Sequence, residues 1–182
     1  MRAETRVSGM DSLLGKLKLA LESAVEGMSE EQLRWHPPEK WCAAEVLEHL
    51  YLTYTGTVKG FERVLQTGKP MVSRASMRQH MRACVVLGLG HMPSGRKAPK
   101  HSVPRGLAVE KVKAEVGLKI AAMDEIIGEC EARFGHGKVL DHPILGPLTA
   151  AQWRKFHWVH GRHHAKQIES LRRQEGREIT SS

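Results

Sequence analysis

Four of the eleven histidines of this 182-residue chain, His157, His160, His163 and His164, fall within eight residues. They lie in Trp153-Arg-Lys-Phe-His157-Trp-Val-His160-Gly-Arg-His163-His164-Ala-Lys-Gln167, where apolar residues recur at helical spacing. A helix turns about 100° per residue, so residues three and four apart share a face. Trp153, Phe156, His157, His160, His164, Gln167, Ile168 and Leu171 then form one stripe, and Arg154, Lys155, Arg162, Lys166 and Arg173 lie opposite. His157, His160 and His164 therefore point where a buried face should be apolar. An unpartnered buried imidazole costs roughly 1–3 kcal/mol. Something inside the fold has to satisfy these rings, and a metal ion is the sharpest candidate.

The rest of the chain reads as helices that could enclose such a site. Leu13, Leu14, Leu17 and Leu21 stripe a first helix over Gly9–Val25. Ser29-Glu-Glu-Gln32 has the form of a capping box and starts a short turn that His36-Pro37-Pro38 ends. A second long helix is expected over Ala43–Gln66, striped by Val46, Leu50, Phe61 and Val64 and closed by Gly68. Arg74–Leu87 predicts a shorter helix, His91–Gly106 a long basic loop, and Leu107–Phe134 a third long helix. Thr149 with Gln152 caps the histidine helix. No strand is expected. The sum is an all-α four-helix bundle, an architecture that builds metal sites between facing helices. It is expected as a single domain over 1–182, with a core of about 9–174 and a flexible tail over 175–182.

Two histidines four apart on one face, His160 and His164, are spaced to grip one ion, and His157 sits three before His160. His49, at the border of the second long helix's stripe, is the best third ligand. Three imidazoles leave positions open for water or substrate, the catalytic rather than the structural pattern. His163 and Gln167 flank the ligands. Glu45, four residues before His49, is a candidate partner for it. His36, His80, His91, His101, His136 and His142 read as loop or surface residues, and the tryptophans as packing residues. No Glu-x-x-His motif of a di-iron bundle lies in the histidine helix.

Composition bounds the setting. No apolar run approaches the roughly 18–20 residues that span a bilayer, and the N-terminus lacks the apolar core of a signal peptide. Cys42, Cys84 and Cys130 are odd in number and far apart, which fits a reducing cytoplasm. The net charge of +8 is spread along the chain. Its densest patch, Arg96, Lys97, Lys100 and Arg105, has no interleaved aromatics and no nucleic-acid-binding signature. A nucleic-acid-binding bundle is thus a minor alternative. A non-enzymatic, dimerising or ligand-binding bundle with structural histidines is the main one.

Three stretches resemble the DinB-like superfamily of four-helix proteins, the DinB/YfiT-like metalloenzymes. They are Trp35-His-Pro-Pro-Glu-Lys-Trp41-Cys-Ala-Ala-Glu-Val-Leu-Glu-His49-Leu, then His142-Pro-Ile-Leu-Gly146-Pro-Leu-Thr149, then His160-Gly-Arg-His163-His164-Ala-Lys-Gln167. The resemblance implies an up-down-down-up bundle, often a homodimer. It implies a metal triad on His49, His160 and His164, commonly holding zinc or nickel. It also implies a small-molecule substrate: some relatives are S-transferases that use low-molecular-weight thiols such as bacillithiol or mycothiol, and others are isomerases or hydrolases. The loop His91–Gly106 departs from the better-studied members and is a candidate roof for the site.

Overall fold

The computed structural model describes residues 12–93 and 97–181, with side chains to 176. Gly9 and Arg96, used above, lie outside the described residues. Four long helices, α1 (Leu13–Val25), α3 (Ala43–Thr67), α5 (Val109–Phe134) and α6 (Ala150–Ser181), carry the core. Between them lie the short helices α2 (Glu30–Arg34) and α4 (Met77–Ala83). The expected tail from 175 continues α6 as helix, and Glu175 is buried, accepting a hydrogen bond from Gln32 of α2.

The caps are those the sequence encodes. Ser12 and Ser29 accept the N–H groups of Gly15 and Gln32, and Thr149 and Gln152 form a reciprocal box that starts α6. Gly68 ends α3 in the left-handed region at φ 66°, where a side chain would be strained. Of the expected stripes, Leu14, Leu17 and Leu21 on α1 and Val46, Leu50, Phe61 and Val64 on α3 are buried, whereas Leu13, at the first turn of α1, is exposed; α5 buries Val112, Val116, Ile120, Met123 and Ile127.

Helix directions follow from which residues meet. Leu17 lies against Gly161, and Glu26 accepts from Arg172, so α1 and α6 run parallel. Tyr51 donates to Glu115, and Arg133 donates to the Leu65 carbonyl, so α3 and α5 also run parallel. His49 meets His160 while Phe61 meets Trp153, so α3 and α6 are antiparallel. The topology is up-down-down-up, which requires the long crossover between α3 and α5. At Gly161 of α6 the packing is so tight that a Cβ would clash with Leu17 Cδ1 of α1 and sit 2.8 Å from the Tyr54 hydroxyl of α3.

One expectation is corrected. A two-stranded antiparallel hairpin, β1 (Lys138–His142) with β2 (Gly146–Thr149), precedes α6, pairing Leu140 with Leu148 and His142 with Gly146. Met71 adds a bridge to it, donating to the Val139 carbonyl and accepting from Asp141. The strands are five and four residues long, too short for alternation to stand out, and β2 contains Pro147. Proline is tolerated here because a two-stranded sheet is all edge. Val139 and Leu148 plug the end of the bundle beside Trp153, whose indole N–H donates to the Leu140 carbonyl.

Candidate metal centre

His49 from α3 and His160 and His164 from α6 come together as the sequence predicts. One ring nitrogen from each lies within 4.8 Å of the other two. The Nε2 atoms of His49 and His160 are 3.3 Å apart, and those of His164 and His160 are 3.1 Å apart. Nitrogens each held about 2.0–2.1 Å from one ion are about 2.9 Å apart at a right angle and about 3.4 Å apart at a tetrahedral one. Both separations fall within that span.

The far side of each ring decides what these nitrogens are. His49 Nδ1 lies 2.8 Å from the Ser102 carbonyl, which can only accept, so the proton sits on Nδ1 and Nε2 carries a lone pair. His164 Nδ1 lies 2.9 Å from Gln167 Oε1, and with the amide so oriented its Nε2 is also a lone pair. Lone pairs that face one another need a cation or a proton between them. His160 completes the set, its ring stacked on Phe156 at 5.3 Å and 11°, with Nδ1 sealed from solvent and unpartnered among the described residues. Burial lowers the pKa of all three, His164 to about 3 and His160 well below its ordinary value, with that of His49 also lowered. Neutral imidazoles are the form a metal takes. The donor set, spacing, tautomers and protonation all fit a divalent ion.

The centre opens into a cleft of about 1540 Å³. Trp41, Phe156, Leu145 and Met92 line it, together with Lys97 and His101 of the basic loop. The loop therefore borders the site, and through Ser102 it touches His49. Its far end is tied down by Glu48, which is 3% exposed and accepts the backbone N–H groups of Arg105, Gly106 and Leu107.

The flanking candidates separate. Gln167 orients His164. His163 is half-buried in the cleft wall, its ring 5.1 Å from that of His164. His157 faces away into the core. Its Nε2 is 3.1 Å from Thr57 Oγ1, whose own hydrogen goes to the Thr53 carbonyl, so His157 donates there. Burial brings its pKa to about 3. Glu45 does not reach His49; it accepts the Cys42 N–H at the start of α3.

Two residues escaped the sequence reading. Glu48 points about 100° around α3 from His49, and both are buried because the loop folds over them. His142, read as a loop or surface residue, is 9% exposed and lines the cleft. The signal for it was its place at the head of the His142–Thr149 motif, which is invisible as a hairpin without the fold.

Comparison with known proteins places the chain in a family but adds no function. The uncharacterized protein YuaE of Bacillus subtilis (strain 168) is 22% identical over 172 residues, covering 88% of this chain and 96% of its own length. No solved structure matches. A family model described as "Protein of unknown function (DUF1569)" matches residues 14–171, a span that holds His49, His160 and His164, Glu48 and His142. The chain belongs to the DUF1569 family.

Proposed function

We propose that this protein is a metal-dependent enzyme of the DinB-like class, with one divalent ion, zinc or nickel, held by His49, His160 and His164 and with open positions facing the cleft. The observation that carries the reading is the convergence of neutral imidazole nitrogens whose opposite nitrogens are tied to Ser102 and Gln167. Partners of this kind fix the ring and raise the ligand's basicity. When bound, the ion supplies a Lewis acid and lowers the pKa of a water or thiol that shares it. The chain's part is to hold the ligand rings, to shield one side with Phe156 and Trp41, and to present a cleft sized for a small molecule. The reaction classes that fit are transfer to a low-molecular-weight thiol and hydrolysis, in a cytoplasmic homodimer.

A non-enzymatic reading has one observation in its favour. His160 Nε2 lies within hydrogen-bond distance of both neighbours, so a proton there would satisfy one of them without an ion. Elemental analysis of the purified protein, as isolated and after incubation with zinc or nickel followed by desalting, separates the two. About one tightly held ion per chain is expected, absent in His160→Ala; a wild-type chain that retains none sinks the metal reading. Thiol-dependent turnover by the loaded protein then tests the enzyme assignment.

A further inference from the structure

The motif His142-Pro-Ile-Leu-Gly146-Pro-Leu-Thr149 holds no metal ligand, yet it sets a histidine into the wall of the same cleft. His142 ends β1, its ring centroid 4.3 Å from that of Phe156 and 5.2 Å from that of Trp153. Its Nδ1 is turned to the hairpin, where it accepts the backbone N–H groups of Ile144 and Leu145, both at 3.1 Å. A nitrogen that accepts two N–H bonds carries no proton, so the neutral ring bears its hydrogen on Nε2. Burial, reinforced by the nearness of His101, lowers the pKa to about 4 and keeps the ring neutral. Nε2 has no hydrogen-bond partner among the described residues, and it is not one of the polar atoms sealed from solvent. The hairpin thus presents a fixed N–H donor to the cleft.

The surroundings say what would bind there. Phe156 touches His142 on one side and stacks on His160 on the other, so donor and metal ligands share a wall. Among the described residues, six lysines and arginines line the cleft against two acids, Glu39 and Asp141. Asp141 accepts the Ser73 N–H through one oxygen, and its other oxygen is sealed from solvent without a partner among the described residues. A neutral imidazole with its hydrogen outward polarises an oxygen without losing a proton to it. We propose that His142 Nε2–H receives a carboxylate or carbonyl oxygen of the small molecule that occupies this cleft, with its apolar body against Phe156 and Leu145. That the molecule's other end meets an ion rests on the metal reading above; the donor itself does not.

The probes are benzoate, with benzyl alcohol as the uncharged control, on metal-free and zinc-loaded protein. Nitrogen-15 spectra of the histidines are expected to show His142 as the Nε2–H form at about pH 7. Benzoate should shift that resonance in both preparations, and benzyl alcohol should shift it less. His142→Asn keeps an oxygen where Nδ1 accepts from the turn and leaves nothing at Nε2. It should weaken benzoate binding about tenfold or more with zinc retention unchanged. His142→Gln, whose amide N–H reaches the Nε2 position, should recover most of that loss. An Nδ1–H form of His142, a resonance that benzoate leaves in place, or equal benzoate affinity in wild type and His142→Asn overturns the proposal. Failure of the wild type to retain zinc overturns the metal reading instead, and the metal-free arm still decides the role of His142.

Discussion

Glu48 and His49, consecutive on α3, hold one loop at two points. The Glu48 carboxylate accepts the N–H groups of Arg105, Gly106 and Leu107 at 2.6, 3.0 and 3.1 Å, and His49 Nδ1 donates to the Ser102 carbonyl at 2.8 Å. A carboxylate that meets three backbone donors is well satisfied although it is buried. The carbonyl that sets the tautomer of His49 therefore belongs to a loop anchored by that residue's own neighbour.

Glu48→Gln replaces one acceptor oxygen by an N–H group that faces backbone donors. The expected cost is about 1–3 kcal/mol of stability, read by urea unfolding. Zinc affinity should fall about tenfold, because the loop no longer holds Ser102 against His49. Unchanged zinc affinity in a folded variant would show that the loop does not govern the ligand.

Gln167→Leu removes the acceptor from His164 Nδ1 while the ring keeps its place on α6. Zinc affinity in a competition assay should drop about ten- to a hundredfold. His157→Gln, which keeps a donor for Thr57, should leave it unchanged, since His157 faces the core.

Bound ion stabilises the fold by mass action. Free zinc at about a hundred times its dissociation constant adds about 2.7 kcal/mol. A thermal shift should rise with zinc in the wild type and stay flat in His160→Ala. A chelator should reverse it.

Stability should fall with acid. Burial holds the pKa of His142 at about 4 and of His157 at about 3, below the ordinary value of 6.5. As pH falls below about 6.5 the unfolded chain takes up protons that the folded one refuses, so the stability present above that pH is lost. Each ring contributes a loss on the order of 2–3 kcal/mol by about pH 4. Urea midpoints measured on metal-free protein should decline over this range, and less steeply for His157→Gln.

Two glycines within helices should respond oppositely to alanine. At Gly161 the new methyl meets Leu17 and the Tyr54 hydroxyl, both on side chains with no exposure, so overpacking of about 1–3 kcal/mol outweighs the gain in helix propensity. At Gly56 nothing lies within 4 Å, and alanine should stabilise by about 1 kcal/mol. Thermal unfolding of the two variants checks the sign of each.

The long helices, their caps and the inward pair His160/His164 were legible in the chain because periodicity and capping are local codes. Contact of one α6 face with α3 then brought His49 into the set, as the border position on its stripe allowed. The hairpin was not legible: Lys138–His142 and Gly146–Thr149 are shorter than any pattern window, and they are strands because Met71 and the end of the bundle cover them. Nor could spacing tell His157 from its neighbours on the stripe. All three lie on one face, and only Thr57 from α3 claims His157 for the core.

The sequence by itself determined a helical bundle and three histidines of one helix, His157, His160 and His164, to go inside it, since both follow from residues three, four and seven apart. The tertiary structure decided the rest. Which ring nitrogen carries a proton is set by an acceptor or donor on the other side: Ser102 for His49 comes from a loop 53 residues away, and Thr57 for His157 from a helix 100 residues away. Whether Glu48 and His142 are buried depends on a loop and a hairpin that pack over them. Lone pairs, tautomers and burial belong to the environment of a side chain, and that environment exists only once the helices, the loop and the hairpin have met.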